Sequence, residues 1–353
     1  MPKSARKVDL MLDSGAFSAF KKGETINLKA YAKYVKKFDP LLFSYVTMDV
    51  LPGYTGAAKS DADRLRKAED TRDDATIETA ASKSYENHAR LKDMDLHPIP
   101  VFHQGEDFKW LQRMLDEKEP YIGISAIKSG WNDPGLHKNW FDKIWAMLPP
   151  GQKVHGFGIT GSTFLLSYPW YSVDSTTWSK GAGFGKIYVP RMDRANKDFD
   201  WRAPCWQCSV SGVGRVEADL LNPGAMIEEH GSEKWRGSKR GHIEAQGVTH
   251  TGIIERFLNE YCDLTLDQVR DSSHLRRKAI LIYYLTLAKV INVRIMFATS
   301  IGNRAWATLM NEVGATDRLL SYYELRAVKD EITEEFILKG TRSVRGERNN
   351  EEE

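Results

Sequence analysis

The chain has 353 residues, 41% of them hydrophobic, and 50 Lys and Arg residues against 48 Asp and Glu residues give a formal net charge of +2. Near-neutrality neither requires nor excludes a nucleic-acid partner, and three cysteines in so long a chain argue against a disulfide framework. The longest apolar stretch, residues 279–288, is too short to span a bilayer, and no signal-like start is visible, so we expect a cytoplasmic protein without membrane contact.

Short runs rich in Val, Ile, Phe and Tyr alternate with longer amphipathic segments. The pattern predicts strands over residues 8–12, 43–48, 99–103, 121–125, 154–157, 170–173 and 186–189. Helices are predicted between them over residues 28–37, 58–92, 109–117, 137–147 and 162–167. Such alternation indicates βα units and a parallel sheet, so we expect an α/β fold, a (β/α)8 TIM barrel.

The predicted barrel occupies residues 1–192, where all seven recognised strands lie. Residues 193–252 are rich in Gly, Arg, Trp and charge and are expected to form an irregular insertion. Residues 253–340 are expected to complete the barrel with helices at 253–260 and 275–290 and an eighth strand at 293–299. Residues 341–353 have almost no apolar content, which predicts a disordered tail.

Polar side chains follow several predicted strands. Asp13 follows the first, Asp49 the second and Gln104 the third, and Asp174 ends the sixth. Parallel barrels keep their chemistry at the carboxyl ends of their strands, so these groups are expected to meet in one pocket. A strand-end Asp is as often an Asx-turn or a helix N-cap.

The first strand ends in Asp13-Ser14-Gly15-Ala16-Phe17. Its small residues let a ligand approach the backbone closely, and Phe17 is placed to stack on a flat ring. Further along the chain stand Asp49, Gln104-Gly105, Gly123-Ile124, Gly156-Phe157-Gly158 and Asp174.

This ordered succession resembles the tRNA-guanine transglycosylase superfamily over residues 8–175. Ala16 replaces the second Gly of the family's Asp-Ser-Gly-Gly-Phe motif, and Ser175-Thr176 replaces the Pro-Thr that follows the nucleophile in bacterial tRNA enzymes. The closer resemblance is to the divergent DNA-guanine transglycosylases, including those encoded by phages, which place 7-deazaguanine bases in DNA.

The resemblance implies a pentosyltransferase in which Asp174 is the covalent nucleophile at the sugar and Asp13 handles the proton of the leaving and incoming bases. It implies substrate binding by Ser14, Phe17, Asp49, Gln104, Gly123, Ile124 and Gly158. The expected partners are DNA, with tRNA as the alternative, and a free 7-deazaguanine base such as preQ0. A base within a duplex must be flipped out to reach the pocket. A homodimer is left open, and for a phage-encoded chain the compartment is the host cytoplasm.

The resembled family holds a structural zinc downstream of the nucleophile. Cys205 and Cys208 form a CxxC pair there, Cys262 is the third thiol, and the fourth ligand would be His274, His242 or His230. The alternative is a pair of loop cysteines without metal.

Other features carry two interpretations each. Trp201, Trp206 and Trp235 would either stack on bases or form local core, the latter about twice as often. The basic runs at residues 234–240 and 276–278 are either a nucleic-acid footprint or solvated surface. Strand alternation predicts that His103 points away from the side chain of Gln104 and is structural, and no role is assigned to His155.

Two alternatives in other classes remain. A TIM-barrel metal-dependent hydrolase would use Asp13, His103 and Asp174 as ligands, although no His-x-His pair lies near the first strand. A non-catalytic nucleic-acid-binding barrel would not depend on Asp174.

Overall fold

A computed structural model describes residues 11–16, 26–52, 74–126, 134–192, 198–210 and 247–297. The protein is a mixed α/β structure that divides into two compact units. The first unit comprises Met1–Ser175, Asp200–Pro204 and Leu285–Met296, and the second comprises the remainder of the chain.

Eleven strands lie within the described ranges. They are β1 (Met11–Leu12), β2 (Ser44–Tyr45), β3 (Val101–His103), β4 (Tyr121–Ser125), β5 (Lys153–Phe157), β6 (Ser172–Ser175), β7 (Lys186–Val189), β8 (Arg191–Met192), β9 (Phe199–Asp200), β10 (Trp206–Ser209) and β11 (Arg294–Phe297).

The first unit is built on parallel strands. β1 pairs with β2, and a parallel bridge between Val46 and Ile99 continues the order to β3. A five-stranded sheet then runs in the order β3-β4-β5-β6-β11. The first six strands therefore follow one another in chain order, as βα units dictate, and their carboxyl ends share one edge.

Helices connect these strands. In the first unit they are α1 (Leu28–Phe38), α2 (Asp74–Asp93), α3 (Phe108–Asp116), α4 (Pro134–Met147) and α5 (Ser162–Ser167). α1 begins where the Asn27 side chain accepts a hydrogen bond from the Ala30 N–H, and Asp107 caps α3 in the same way through the Lys109 N–H. Each helix buries one apolar stripe, as Val35 on α1 and Leu111 on α3 illustrate.

An aromatic cluster fills the core of the first unit beside α4 and α5. Phe141 is fully buried and packs against Phe164 at 5.3 Å and edge-on against Trp170 at 5.6 Å between ring centroids. Trp145 meets Trp170 edge-on at 5.3 Å. Buried aromatic pairs add to area burial, so this cluster holds the β5–β6 side of the sheet in place.

The second unit contains α6 (Thr177–Gly183), α7 (Gly247–Phe257) and α8 (Leu266–Asp271), with a π-helical turn at Leu258–Cys262, and α9 (Ser273–Ile291) begins in the second unit and ends in the first. A helix was predicted over residues 275–290, which include the apolar stretch at residues 279–288. This is confirmed, because α9 contains it and buries Ala279, Ile280, Leu281 and Leu287.

The strand partners predicted for the seventh and eighth strands are wrong. β7 was expected to follow β6 in the parallel sheet, but among the described residues it pairs antiparallel with β10. The strand beside β6 is β11, which was expected to be the eighth. β10 also gives regular structure to part of the expected irregular insertion. A local apolar pattern indicates that a strand exists, whereas its partner depends on contacts distant in sequence.

Most other predicted elements agree with the structure within a few residues, and residues 121–125, 162–167 and 186–189 agree at both ends. The start of the first strand, the first part of the helix predicted at 58–92 and the expected disordered tail lie outside the described residues. Within the described helices, none combines the length and the hydropathy needed to cross a membrane.

Gly156 on β5 is required by close packing. A Cβ atom there would lie 2.9 Å from Ile159 Cγ1 and 2.9 Å from the Trp170 ring. We predict that Gly156→Ala lowers the free energy of unfolding by about 1–3 kcal/mol, the usual cost of overpacking a core. Urea denaturation measures this.

Gly252→Ala is the matched control, because Gly252 lies in α7 with open space around its missing Cβ. Alanine there is expected to stabilise by up to about 1 kcal/mol, as in an exposed helix interior. Equal stability of wild type and Gly156→Ala would contradict the packing argument.

Candidate functional site

Three carboxylates meet at the carboxyl ends of the parallel strands. Asp13 follows β1, Asp49 follows β2 and Asp174 lies in β6. Asp174 and Asp49 lie close enough to Asp13 that their negative charges help to raise the pKa of Asp13. Strands that are far apart in sequence therefore bring together the carboxylates that the sequence predicted would meet.

The pKa of Asp13 lies above its ordinary value. Desolvation is the largest cause, followed by repulsion from Asp174 and from Asp49, while the backbone N–H groups of Gly15 and Ser14 lower it. The residue reaches solvent, yet protein atoms crowd the carboxyl group closely enough to strip much of its hydration. A carboxyl group of this kind binds a proton more readily than a free aspartate does.

Asp174 is oriented through one of its two oxygens. The Gly158 N–H donates a hydrogen bond of 2.6 Å to Oδ1. Gly158 has a φ of 71°, a left-handed conformation that glycine adopts without strain, and this turn aims the N–H at the carboxylate. Within the described residues Oδ2 has no protein partner, and the side chain is 26% exposed, so a ligand can reach it.

Gly158 was predicted to bind substrate. The structure places it against Asp174, so its visible contact is with the expected nucleophile. The Gly-rich motif signalled a special backbone conformation here, but the sequence did not show which group the turned N–H would meet.

His155 on β5 lies behind Asp174 and is fully buried. Its Nε2 is 3.8 Å from Asp174 Oδ1, and its Nδ1 is hydrogen-bonded to Ser172 Oγ on β6. The sequence assigned no role to this histidine. A strand histidine with alternating apolar neighbours gives no signal of its own, because the approach of Asp174 depends on the β5–β6 register.

His103 at the end of β3 connects two carboxylates. Its Nδ1 is 3.0 Å from Glu106 Oε1 and its Nε2 is 3.6 Å from Asp49 Oδ2. Burial lowers its pKa, but Glu106 and Asp49 together outweigh burial and raise it to about 10. His103 is therefore a buried cation beside Asp49, a contact that strand alternation did not predict.

Asp49 is largely buried, with 11% of its side chain exposed. Burial raises its pKa, and the nearby His103 lowers it in part. Its Oδ1 is buried and has no hydrogen-bond partner within the described residues. A buried acceptor without a donor costs about 1–3 kcal/mol, so a ligand that offers a donor here gains affinity.

Ser14 and Gln104 also lie at the strand ends. Ser14 is buried, and its Oγ accepts a hydrogen bond from the Ala16 N–H at 3.3 Å. The Gln104 N–H donates to the Ser125 carbonyl at 2.9 Å, and Gly105 turns the chain with a φ of 101°. Phe17, the predicted stacking residue, lies outside the described residues.

Gly123 and Ile124 lie inside β4, before its carboxyl end. The Gly123 N–H donates to the Pro100 carbonyl at 2.8 Å, and a Cβ atom on Gly123 would lie 2.6 Å from the Phe157 ring. Ile124 is fully buried. The Gly123 N–H is thus already used in strand pairing, and β4 ends at Ser125.

The three predicted zinc ligands lie in the second unit, and none of them forms a disulfide. Cys208 is buried on β10, Cys205 precedes it, and Cys262 ends the π-helical turn. Burial raises the pKa of Cys262 to about 12, which disfavours the thiolate that zinc binds.

No group of three or more potential metal ligands occurs among the described side chains. Of the candidate fourth ligands, His274 lies on α9 and His230 and His242 lie outside the described residues. The structural zinc therefore remains a prediction.

The basic run at residues 276–278 lies on α9, and its first residue is not at the surface. Arg276 is buried and donates hydrogen bonds to the carbonyls of Ala182, Val269 and Arg270. It therefore joins α6, α8 and α9, and neither interpretation drawn from the sequence describes it. Trp201 is buried, as local core requires, and Trp206 is half-buried on β10, while residues 234–240 lie outside the described ranges.

A scan against protein-family models finds no family that matches the chain, and a search of curated proteins finds no similar sequence. The site is therefore defined by its own residues. It consists of three carboxylates and two buried histidines, gathered by the ends of adjacent parallel strands.

Asp13→Asn is expected to stabilise the protein at neutral pH. The ionised form of Asp13 is disfavoured in the folded state, so its stability cost is absent below the ordinary pKa of 3.8 and grows as pH rises through the raised folded value. The gain in melting temperature should therefore be present at pH 7 and vanish below about pH 4.

Asp142→Asn is the contrasting control. Hydrogen bonds from Lys138 and then Tyr168 lower the pKa of Asp142, so losing its charge removes a small stabilisation at neutral pH. A gain for Asp13→Asn that did not depend on pH would contradict the electrostatic explanation.

Glu106→Gln is expected to lower the pKa of His103 from about 10, because Glu106 is the largest cause that raises it. A histidine with a raised folded pKa stabilises the protein below its ordinary value of 6.5 and loses that contribution as pH rises through about 10. NMR titration of the His103 ring measures the shift, with the exposed Glu86→Gln as control. An unchanged pKa in Glu106→Gln would refute the coupling.

Proposed function

We propose that this chain is a guanine transglycosylase that exchanges guanine in DNA for a 7-deazaguanine base such as preQ0. The observation that carries the proposal is the meeting of Asp13, Asp49 and Asp174 at one edge of the sheet, with Asp174 held through Oδ1 while its Oδ2 has no partner within the described residues. The reaction needs one carboxylate to attack and a second to move a proton. Asp174 is oriented by a hydrogen bond, which suits attack, and Asp13 has a raised pKa, which suits proton transfer.

The fold that we propose is a (β/α)8 barrel in which β11 takes the place after β6. Arg294 on β11 supports closure, because its guanidinium lies 4.4 Å from the ring centroid of Tyr171, just before β6, and 5.8 Å from that of Phe43, just before β2. Tyr171 and Phe43 precede strands far apart in the sheet order. The sheet therefore curls at its amino-terminal edge, as a barrel requires.

In the first half-reaction an oxygen of Asp174 attacks C1′ of the nucleotide. A bond forms between that oxygen and C1′, the bond from C1′ to the base nitrogen breaks, and guanine leaves with the electron pair and takes up a proton. In the second half the incoming base loses a proton from its ring nitrogen, attacks C1′ and releases the Asp174 carboxylate.

Asp13 supplies and then removes these protons. Its raised pKa brings the carboxyl group closer to the pH at which it both gives and accepts a proton. The presence of Asp49 and Asp174 nearby is part of the cause, so the cluster itself adapts Asp13 to this task.

Asp49 is suited to recognise the base. Guanine carries donors on N1 and on its amino group, and the buried Oδ1 of Asp49 is an acceptor without a partner within the described residues. His103, held by Glu106, supports Asp49 from the other side. Gln104, beside Asp49 at the end of the next strand, would read a further polar group of the base.

The DNA substrate is favoured over tRNA because Ser175-Thr176 follows Asp174 where bacterial tRNA enzymes have Pro-Thr. A flipped or single-stranded guanosine is required, since the glycosidic bond of a stacked base is out of reach. tRNA remains the alternative polymer for the same chemistry.

The contacts of His103 count against the alternative of a metal-dependent hydrolase. Both ring nitrogens of His103 face carboxylates, with Nδ1 3.0 Å from Glu106 Oε1 and Nε2 3.6 Å from Asp49 Oδ2, whereas a histidine ligand needs a ring nitrogen directed at the metal.

The test offers DNA and tRNA side by side with labelled guanine. Wild type is expected to incorporate label into DNA and to form a covalent protein–DNA adduct, detected by denaturing electrophoresis and mass spectrometry. Asp174→Asn should lower both by at least about 1,000-fold, and Asp13→Asn should slow exchange by about 100-fold or more.

The surface variant Asp142→Asn is the control and should exchange at the wild-type rate. Labelling of tRNA alone would refute the choice of DNA. Full activity of Asp174→Asn would refute the assignment of the nucleophile, and hydrolysis that depends on an added divalent metal would favour the hydrolase.

A further inference from the structure

A buried chain of polar side chains runs across three neighbouring strands behind Asp174. Tyr121 on β4 is hydrogen-bonded through its hydroxyl to Ser172 Oγ on β6, and the same oxygen is hydrogen-bonded to His155 Nδ1 on β5. Ser172 and His155 are fully buried. Tyr121 is half-buried, so Ser172 and His155 depend on one another and on Tyr121 for their hydrogen bonds.

We assign Tyr121 as the donor to Ser172. Burial raises the pKa of Tyr121 to about 12, so its hydroxyl keeps its hydrogen at neutral pH. Ser172 Oγ then accepts this hydrogen bond and donates its own hydrogen to His155 Nδ1. An imidazole that accepts at Nδ1 carries its hydrogen at Nε2.

The Nε2–H group of His155 is therefore directed away from Ser172 and Tyr121. It is buried, has no hydrogen-bond partner among the described residues, and lies 3.8 Å from Asp174 Oδ1. This separation is too long for a hydrogen bond. A small rotation of the Asp174 side chain would close the gap.

Two aromatic rings flank the imidazole ring of His155. Phe157 meets it nearly edge-on at 4.4 Å and Tyr121 at 6.4 Å between ring centroids. The imidazole is thereby restrained on both sides, so movement of the half-exposed Asp174 is the easier way to complete the contact.

We propose that His155 is a positioning residue for Asp174, and this inference rests on the proposed function. The Nε2–H of His155 and the N–H of Gly158 both direct hydrogen to Oδ1 when the carboxylate takes its reacting position. Two donors on one oxygen leave Oδ2 to attack the sugar. Ser172 and Tyr121 act through His155 by keeping the hydrogen on Nε2.

The kinetic test uses single-turnover formation of the DNA adduct. His155→Leu should slow adduct formation by about 10- to 100-fold, the value of a hydrogen bond to a charged group, with the apparent affinity for DNA unchanged. His155→Gln carries an amide N–H near the Nε2 position and should recover much of the rate.

His137→Leu is the matched control, because His137 is equally buried but lies on α4 beside Phe164. It should form adduct at the wild-type rate. A wild-type rate in His155→Leu, or a loss in His155→Gln as large as in His155→Leu, would overturn the proposal.

A second measurement needs neither substrate nor a folded His155 variant. Side-chain ¹⁵N NMR of the wild type should show His155 as the Nε2–H tautomer. Its ring signals should move in Asp174→Asn and stay in place in Asp142→Asn. The Nδ1–H tautomer, or no response to Asp174→Asn, would refute the positioning role.

The two proposals fail separately. Absence of any adduct on DNA and tRNA with wild type would refute the transglycosylase, whereas the NMR result decides the contact between His155 and Asp174 in either case.

Discussion

The close approach of three carboxylates at one edge of a parallel sheet is the constraint to which the rest of the site responds. Burial is the largest cause of the raised pKa of Asp13, and repulsion from Asp174 and Asp49 adds to it. Each of the three carboxylates has hydrogen donors beside it. Asp174 receives the Gly158 N–H, Asp49 has His103 nearby, and Asp13 receives the backbone N–H groups of Gly15 and Ser14. For Asp13 these donors offset the effect of burial and repulsion only in part.

Asp174 and Asp13 are the same residue type, and it is their surroundings that suit them to the two different tasks of the proposed reaction. The carboxylate held by a short hydrogen bond from a rigid turn stays in place for attack, and the carboxyl group under repulsion exchanges protons. A site that concentrates charge in this way gives up stability for function. The sheet tolerates that cost because it rests on fully buried residues such as Phe102, Ile122 and Val154 and on the aromatic cluster around Phe141.

The histidines show how a buried polar group acquires a role from its surroundings. His103 and His155 are both strand residues. One lies between Asp49 and Glu106, which raise its pKa, whereas the other is hydrogen-bonded to Ser172 and lies 3.8 Å from Asp174 Oδ1. Neither environment follows from adjacent sequence, because each involves a residue from a different strand or turn.

The sequence by itself determined the alternation of strands and helices, the strands at residues 121–125 and 186–189, and the presence of Asp13, Asp49 and Asp174 at strand ends. These follow from local periodicity and turn chemistry, which act over a few residues. Only the tertiary structure decided that β11 lies beside β6, that β7 pairs with β10, that the Gly123 N–H is used within the sheet, and that Gly158 and His155 face Asp174. Strand pairing and side-chain convergence depend on packing between separate segments of the chain, and a local pattern carries no information on that register.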